Sequence, residues 1–268
     1  MIPRNPRITF EDALPHWARN HAFAQITNAG STSLPAVETF LNKVMRQAAQ
    51  RIGAGRLATD IALFCAQEGN HYRQHRIFNK LLYAPYPELS ALEHELSGNY
   101  DHMLANASLK MNAAYCEGFE SLGIIHAEFF FERIPDLLEG ADPRLVRLWQ
   151  WHLAEEFEHR SVCYDVLRAL GGGYFTRIRG YFHAMRHLGR YGKRVSDHFL
   201  AVDRAAMSAG ERTQSLRLER QYRARFMRFA LPQLLVVLSP FYDPRRRRAP
   251  RGAAELLGEI ERASAVRG

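Results

Sequence analysis

Two Glu-x-x-His pairs, Glu68-x-x-His71 and Glu156-x-x-His159, set a carboxylate and an imidazole three residues apart, a spacing that puts both on one face of a helix. A second polar residue, Gln67 or Glu155, stands just before each glutamate. Such pairs hold two metal ions inside a helical bundle when two further helices each add a glutamate, in the chain order Glu, ExxH, Glu, ExxH. Glu38 precedes the first pair by 30 residues and Glu117 the second by 39, each about one helix and a turn, so the order is met. Glu120, one turn from Glu117 on nearly the same face, is the alternative on the third helix.

The expected metal ligands are therefore Glu38, Glu68, His71, Glu117 or its neighbour Glu120, Glu156 and His159. Four carboxylates converging in a core are prohibitively costly alone, whereas two divalent ions make the site neutral. Carboxylate and imidazole donors suit iron first and manganese second; a structural zinc site would recruit thiolates. Gln67 and Glu155 are placed behind the ligands of the metal cofactor, where each can accept the free ring N–H of the opposite histidine and hold its orientation. His75, one turn past His71, and His152, four residues before Glu156, are expected beside the ligands as catalytic hydrogen-bond partners or a proton relay to substrate. Cys65, Cys116 and Cys163 each lie within four residues of a proposed ligand and are expected to be small core residues.

Helices must position these groups. The first opens at Pro35, with cap oxygens in Ser31-Thr32-Ser33. The second runs from about Arg56 to Tyr83, a crossing helix covers 88–104, and the third spans about 108–133. The fourth starts at Asp142-Pro143 and ends at Gly171-Gly172-Gly173. Basic helices follow over 174–200 and 211–229, and the apolar run Leu231–Leu238 is interrupted by Pro232 and too short to span a membrane. Strict two-residue alternation is missing from the first 210 residues, so the expected fold is all-α, and the ligand order adds a four-helix bundle with a dinuclear metal core followed by a C-terminal helical extension. The corresponding divisions are an N-terminal segment, 1–33, a metal-binding bundle, 34–173, and a basic extension with an Arg-rich tail, 174–268.

Apolar residues make up 47% of the 268, enough for one large packed core. No apolar run approaches the ~20 residues of a spanning helix, and the first residues lack the apolar stretch of a signal peptide, so the expected location is cytoplasmic, with peripheral contact at the membrane. Three cysteines, an odd number, argue against a disulfide framework. Residues 211–268 hold 13 Arg against 6 acids, which accounts for nearly all of the net charge of +8. The expected partners are a small-molecule substrate and, through the basic C-terminal region, an anionic membrane surface. Nucleic acid is not expected, and an oligomer stays open.

The phrases Leu34-Pro35-Ala36-Val37-Glu38-Thr39-Phe40, Gln67-Glu68-Gly69-Asn70-His71-Tyr72-Arg73-Gln74-His75 with Asn79, and Trp149-Gln150-Trp151-His152-Leu153-Ala154-Glu155-Glu156-Phe157-Glu158-His159 with Asp165 resemble the predicted metal-dependent hydrolases, ferritin-like bacterial proteins of about this size. The resemblance extends from the Trp17 region to Pro240-Phe241-Tyr242-Asp243-Pro244. Two positions depart from it: Gly118 follows Glu117 where the family favours a histidine, and Tyr242 stands where the family has a histidine. The resemblance implies Glu117, rather than Glu120, as the third-helix ligand among six, a metal-dependent enzyme and, by its name, hydrolysis. The ligand pattern by itself favours dioxygen-dependent oxidation of a small, apolar substrate. Iron oxidation and handling, or a non-catalytic binding module, are the other readings.

Overall fold

A computed structural model describes residues 1–265; the last three residues of the basic extension, Arg267 among them, lie outside the described residues. No strand forms among the described residues, and the chain is an all-α helical bundle. The helices are α1 (His21–Ile52), α2 (Arg56–Tyr83), α3 (Leu89–Asn106), α4 (Leu109–Glu132), α5 (Pro135–Leu138), α6 (Pro143–His159), α7 (Val162–Ala169), α8 (Tyr174–Ala205), α9 (Ala209–Val237) and α10 (Ala253–Ala265). Helices α1, α2, α4 and α6 surround the polar centre, α8 lies across α1 and α4, and α10 covers α6.

Helix α1 begins 14 residues earlier than its proline suggests. Asn20 caps it by accepting from Phe23 N, and Pro35 sits inside. A proline within a helix leaves the carbonyl four residues back without a donor. Here that carbonyl is Ser31 O, and Asn79 Nδ2 of α2 donates to it at 3.0 Å. The Thr32 and Ser33 hydroxyls bond back to Ala29 O and Gly30 O instead of capping. The division at 33/34 therefore falls within a continuous helix, and Phe10, Trp17, Val195, Phe199 and Leu257 all join one core with the bundle residues.

The fourth core helix is likewise not continuous to the glycines. It stops immediately after His159, where the Arg160 guanidinium turns back to Phe157 O at 2.7 Å, stacks on the Phe157 ring and donates to Pro244 O of the tail. Asp142 and Pro143 cap its start as the sequence suggests. Helix α9 runs eight residues past Phe229, through Pro232.

Helices α4 and α8 meet backbone to backbone. A Cβ at Gly118 would lie 2.7 Å from Tyr181 Cα, and one at Gly180 would collide with the Ala114 carbonyl. This explains why glycine stands at 118: a histidine there would drive α8 away from α4. Gly180→Ala is expected to destabilise the protein by about 1–3 kcal/mol or more, as overpacking against backbone does. Urea denaturation of the variant, read against the parent protein, measures the loss.

Candidate metal centre

The ExxH spacing works as the helical period dictates. Glu68 and His71 of α2, and Glu156 and His159 of α6, all point into the interior and are at most 1% exposed. Helix α1 brings Glu38 and α4 brings Glu120 to the same place. Donor atoms fall into two groups, each within 4.8 Å: Glu68, Glu120, Glu156 and His159, and beside them Glu38, His71 and His152. His159 Nε2 lies 3.3 Å from Glu68, 3.2 Å from Glu120 and 3.6 Å from Glu156. The groups touch through Glu156 Oε1, which is 3.5 Å from His71 Nδ1 and 3.6 Å from His152 Nε2.

Of the six residues expected as ligands, five are brought together and Glu117 is not. Three residues advance a helix by 300°, so Glu117 and Glu120 differ by about 60° in direction. The tight α4–α8 crossing at Gly118 turns Glu117 toward α8. There its Oε1 accepts from Ser121 Oγ at 3.1 Å and lies 4.0 Å from Arg177 Nη1, while Ser121 Oγ meets the Tyr242 hydroxyl at 3.1 Å. Burial pushes the Glu117 carboxyl up to about 7, against the pull of Arg177. Glu120 instead joins the donor group of Glu68, Glu156 and His159. His152, expected beside the ligands, lies within the second donor group, 3.8 Å from Glu38 Oε1. Gly123 makes room here: a Cβ on it would stand 2.9 Å from Glu156 Oε2.

Hydrogen bonds behind the donors fix which ring nitrogen faces inward. His71 Nε2 meets Glu155 Oε2 at 3.0 Å, a carboxylate that can only accept, so Nε2 carries the hydrogen and Nδ1 presents its lone pair to the centre. Gln67 donates its amide N–H to Glu158 Oε2 and Ile2 O, leaving Oε1 to accept from His159 Nδ1 at 3.1 Å, and His159 Nε2 faces the carboxylates. Such outer partners set tautomer and ring orientation in metal sites. His75 is arranged similarly. Ser31 Oγ gives its one hydrogen to Asn79 Oδ1 at 2.6 Å, so His75 Nδ1 must donate to Ser31, and His75 Nε2 is left an unprotonated acceptor. The His75 ring lies 4.8 Å from that of His152.

Sequence periodicity gave no signal for Arg4. The extended N-terminal segment runs along the face of α2 that displays Gln67, Asn70 and Gln74, bonded to each of them. It carries Arg4 into the interior, where the guanidinium pairs with Glu155 at 3.2 Å and Glu158 at 3.0 Å. Arg4, Glu155 and His71 thus form a chain from the segment to the centre. The three cysteines are buried, belong to neither donor group, and have thiols raised by burial.

The fit to cations rests on the buried atoms left without partners. Both oxygens of Glu38, Glu68, Glu120 and Glu156 lack hydrogen bonds among the described residues, as do His71 Nδ1, His152 Nδ1 and His159 Nε2. Orphaned acceptors at this depth cost free energy unless something positive lies between them. Without a cation, protons must serve. Burial and the neighbouring carboxylates raise Glu38 and Glu68 well above the usual range, and Glu120 to about 7. His71 rises to about 9 despite burial, through Glu155 and Glu156, and His159 rises for the same kind of reason beside Glu120 and Glu156. Glu156, facing those imidazoles, stays ionised although burial opposes it.

The class is therefore a helical bundle with a buried carboxylate and imidazole centre able to hold metal. The chain belongs to the predicted metal-dependent hydrolases, whose family model matches residues 2–248. No curated protein and no solved structure matches it.

The proton-filled site has a testable pH dependence. Between about pH 7 and 8.5, unfolded glutamate and histidine are largely deprotonated. The cation-free fold still holds a proton on His71, raised to about 9, and Glu38, Glu68 and His159 are shifted in the same proton-holding direction. The folded state then binds more protons than the unfolded one, so stability falls as pH rises. Burial keeps His75 and His152 neutral across this window, His152 having been lowered to about 3, so neither contributes. Chelator-treated protein should lose roughly 5 °C of Tm from pH 7 to 8.5. Excess divalent metal should abolish the loss, because ligation strengthens as protons leave. A flat or rising Tm in chelator would contradict the convergence of charge.

Proposed function

We propose that the protein is a metal-dependent oxidoreductase whose centre holds two ions, iron first and manganese second, and that it oxidises a small, apolar substrate with dioxygen. The observation that carries this reading is the donor set. One glutamate from α1, one from α4 and an ExxH pair from each of α2 and α6 is the ligand pattern of di-iron and di-manganese carboxylate bundles. Glu68, Glu120, Glu156 and His159 would hold one ion, and Glu38, His71 and His152 the other, with Glu156 facing both. Bound there, the ions would supply dioxygen binding and reduction, or, on the hydrolytic reading that the family description favours, an activated water and a polarised substrate oxygen.

The protein's own residues support either chemistry. Phe64 against His159, Trp151 against His71 and Trp149 against His75 wall the centre with aromatic rings and exclude water. A cleft of about 340 Å³ between α1, α2 and α3 is lined by Thr32, Phe40, Tyr72, Arg76, Asn79 and Tyr100. From its buried Asn79 the hydrogen-bonded chain through Ser31 reaches His75, whose free Nε2 can accept a proton beside His152. In this reading the cleft admits substrate and His75 is the proton acceptor.

Anaerobic purification with elemental analysis, followed by exposure to dioxygen, separates the two chemistries. Two irons per chain and a transient visible absorption band support oxidation. Two redox-inert metals, no band and cleavage of a hydrolysable ester would select hydrolysis. Ligand identity is tested separately: Glu120→Ala should lose metal, whereas Glu117→Ala should retain it, as read by metal-to-protein ratio after gel filtration. Retention by Glu120→Ala with loss from Glu117→Ala would reverse the assignment.

A further inference from the structure

The outer faces of α8 and α9 carry features that the metal centre does not use. The two helices run antiparallel: Tyr174 donates to Leu238 O at one end, and Arg204 pairs with Glu219 at the other. Residues 174–196 and 220–242 contain no acidic residue, and the antiparallel arrangement brings these two stretches to the same end of the molecule. On α8 the outward stripe alternates aromatic and cation, Phe175, Arg179, Phe182, Arg186 and Arg190, at steps of three and four. On α9 the outward positions near the same end are Met227, Leu231 and Leu235, with Val236 beside them and Phe241 just beyond. Phe175 is 84% exposed, Phe241 82% and Leu235 69%. Side chains this large seldom stay so open without a partner when they cluster.

The cations decide which partner. Elsewhere the arginines of these helices are taken: Arg194 by Glu95, Arg225 by Asp136, and Arg223 by Glu219. Arg179, Arg186, Arg190 and Arg228 form no ion pair among the described residues. A second copy packed symmetrically on this face would set the same arginines against one another. Nucleic acid would meet the arginines but leave the aliphatic Leu231, Leu235 and Val236 without a counterpart. A bilayer with anionic headgroups satisfies both, accepting the apolar side chains below the headgroups and the guanidinium groups among the phosphates.

We propose that the α8–α9 end docks on an anionic membrane surface, with Phe175, Phe182, Leu231 and Leu235 entering the interface and Arg179, Arg186, Arg190 and Arg228 meeting lipid phosphate. No helix among the described residues is long and apolar enough to cross a membrane, so the contact is peripheral. The inference rests on this surface alone and is independent of the chemistry at the metal centre.

The test is sedimentation of the full-length, metal-loaded protein with phosphatidylcholine vesicles, plain or containing roughly one-third phosphatidylglycerol. Binding is expected only to the anionic vesicles and should fall as salt is raised. Arg179→Glu with Arg186→Glu should weaken partitioning on the order of 30-fold or more, and Phe175→Ser with Leu235→Ser at least about tenfold. All four positions are exposed, so melting curves should be unchanged. Absence of binding to anionic vesicles, or binding that neither double variant weakens, overturns the proposal. So does a parent dimer that Phe175→Ser with Leu235→Ser converts to monomer, because the face would then belong to a second copy.

Discussion

Four carboxylates converge in a volume from which water is excluded, and the rest of the architecture follows from that repulsion. Buried like charges must protonate, find counter-charge or unfold the protein. Glu38, Glu68, Glu120 and Glu156 come from four helices, so their mutual cost acts on the packing of α1, α2, α4 and α6 together. Three imidazoles within reach offset part of the cost, and two divalent ions would offset the remainder. A divalent ion that binds only the folded form would add roughly 3–4 kcal/mol when its free concentration exceeds Kd 100- to 1,000-fold.

Around that centre lies a layer of polar groups facing inward, each answering to another. Glu155 bridges His71 and Arg4, Gln67 bridges His159 and Glu158, and Ser31 bridges His75 and Asn79. The layer explains why α2 is weakly amphipathic in the ordinary sense: it turns Gln67, Glu68, Asn70, His71, Gln74 and His75 into the core. Asn79 serves two purposes, supplying the donor that Pro35 removes from α1 and orienting Ser31 toward His75. A purely structural helix would fill these positions with leucine and valine.

Much of this was legible in the sequence because it depends on local period. The 3.6-residue turn alone puts Glu68 beside His71, Glu156 beside His159, and Gln67 and Glu155 behind them. The choice between Glu117 and Glu120 was not legible, since it turns on the rotation of α4 about its own axis, fixed by the contact of Gly118 and Gly180 with backbone far along the chain. His152 shares the face of Glu156, but its place among the donors depends on how closely Glu38 of α1 approaches. Pro35 misled for a similar reason: the acceptor it orphans, Ser31 O, finds its donor 48 residues later, at Asn79. Arg4, in an extended segment without periodicity, gave no signal. The basic extension read as one charged flank, yet the fold sorts its arginines into two sets. Arg245 and Arg247 are neutralised by Asp165 and Glu128, while Arg179, Arg186, Arg190 and Arg228 on α8 and α9 form no ion pair among the described residues.

The proposed seat of two ions between these particular side chains is tested by anomalous diffraction from crystals of the metal-loaded protein. Two anomalous peaks separated by about 3.5–4 Å are expected, one bounded by Glu68, Glu120, Glu156 and His159 and the other by Glu38, His71 and His152. A single peak, or density beside Glu117 and Ser121 with none at Glu120, would contradict that proposal.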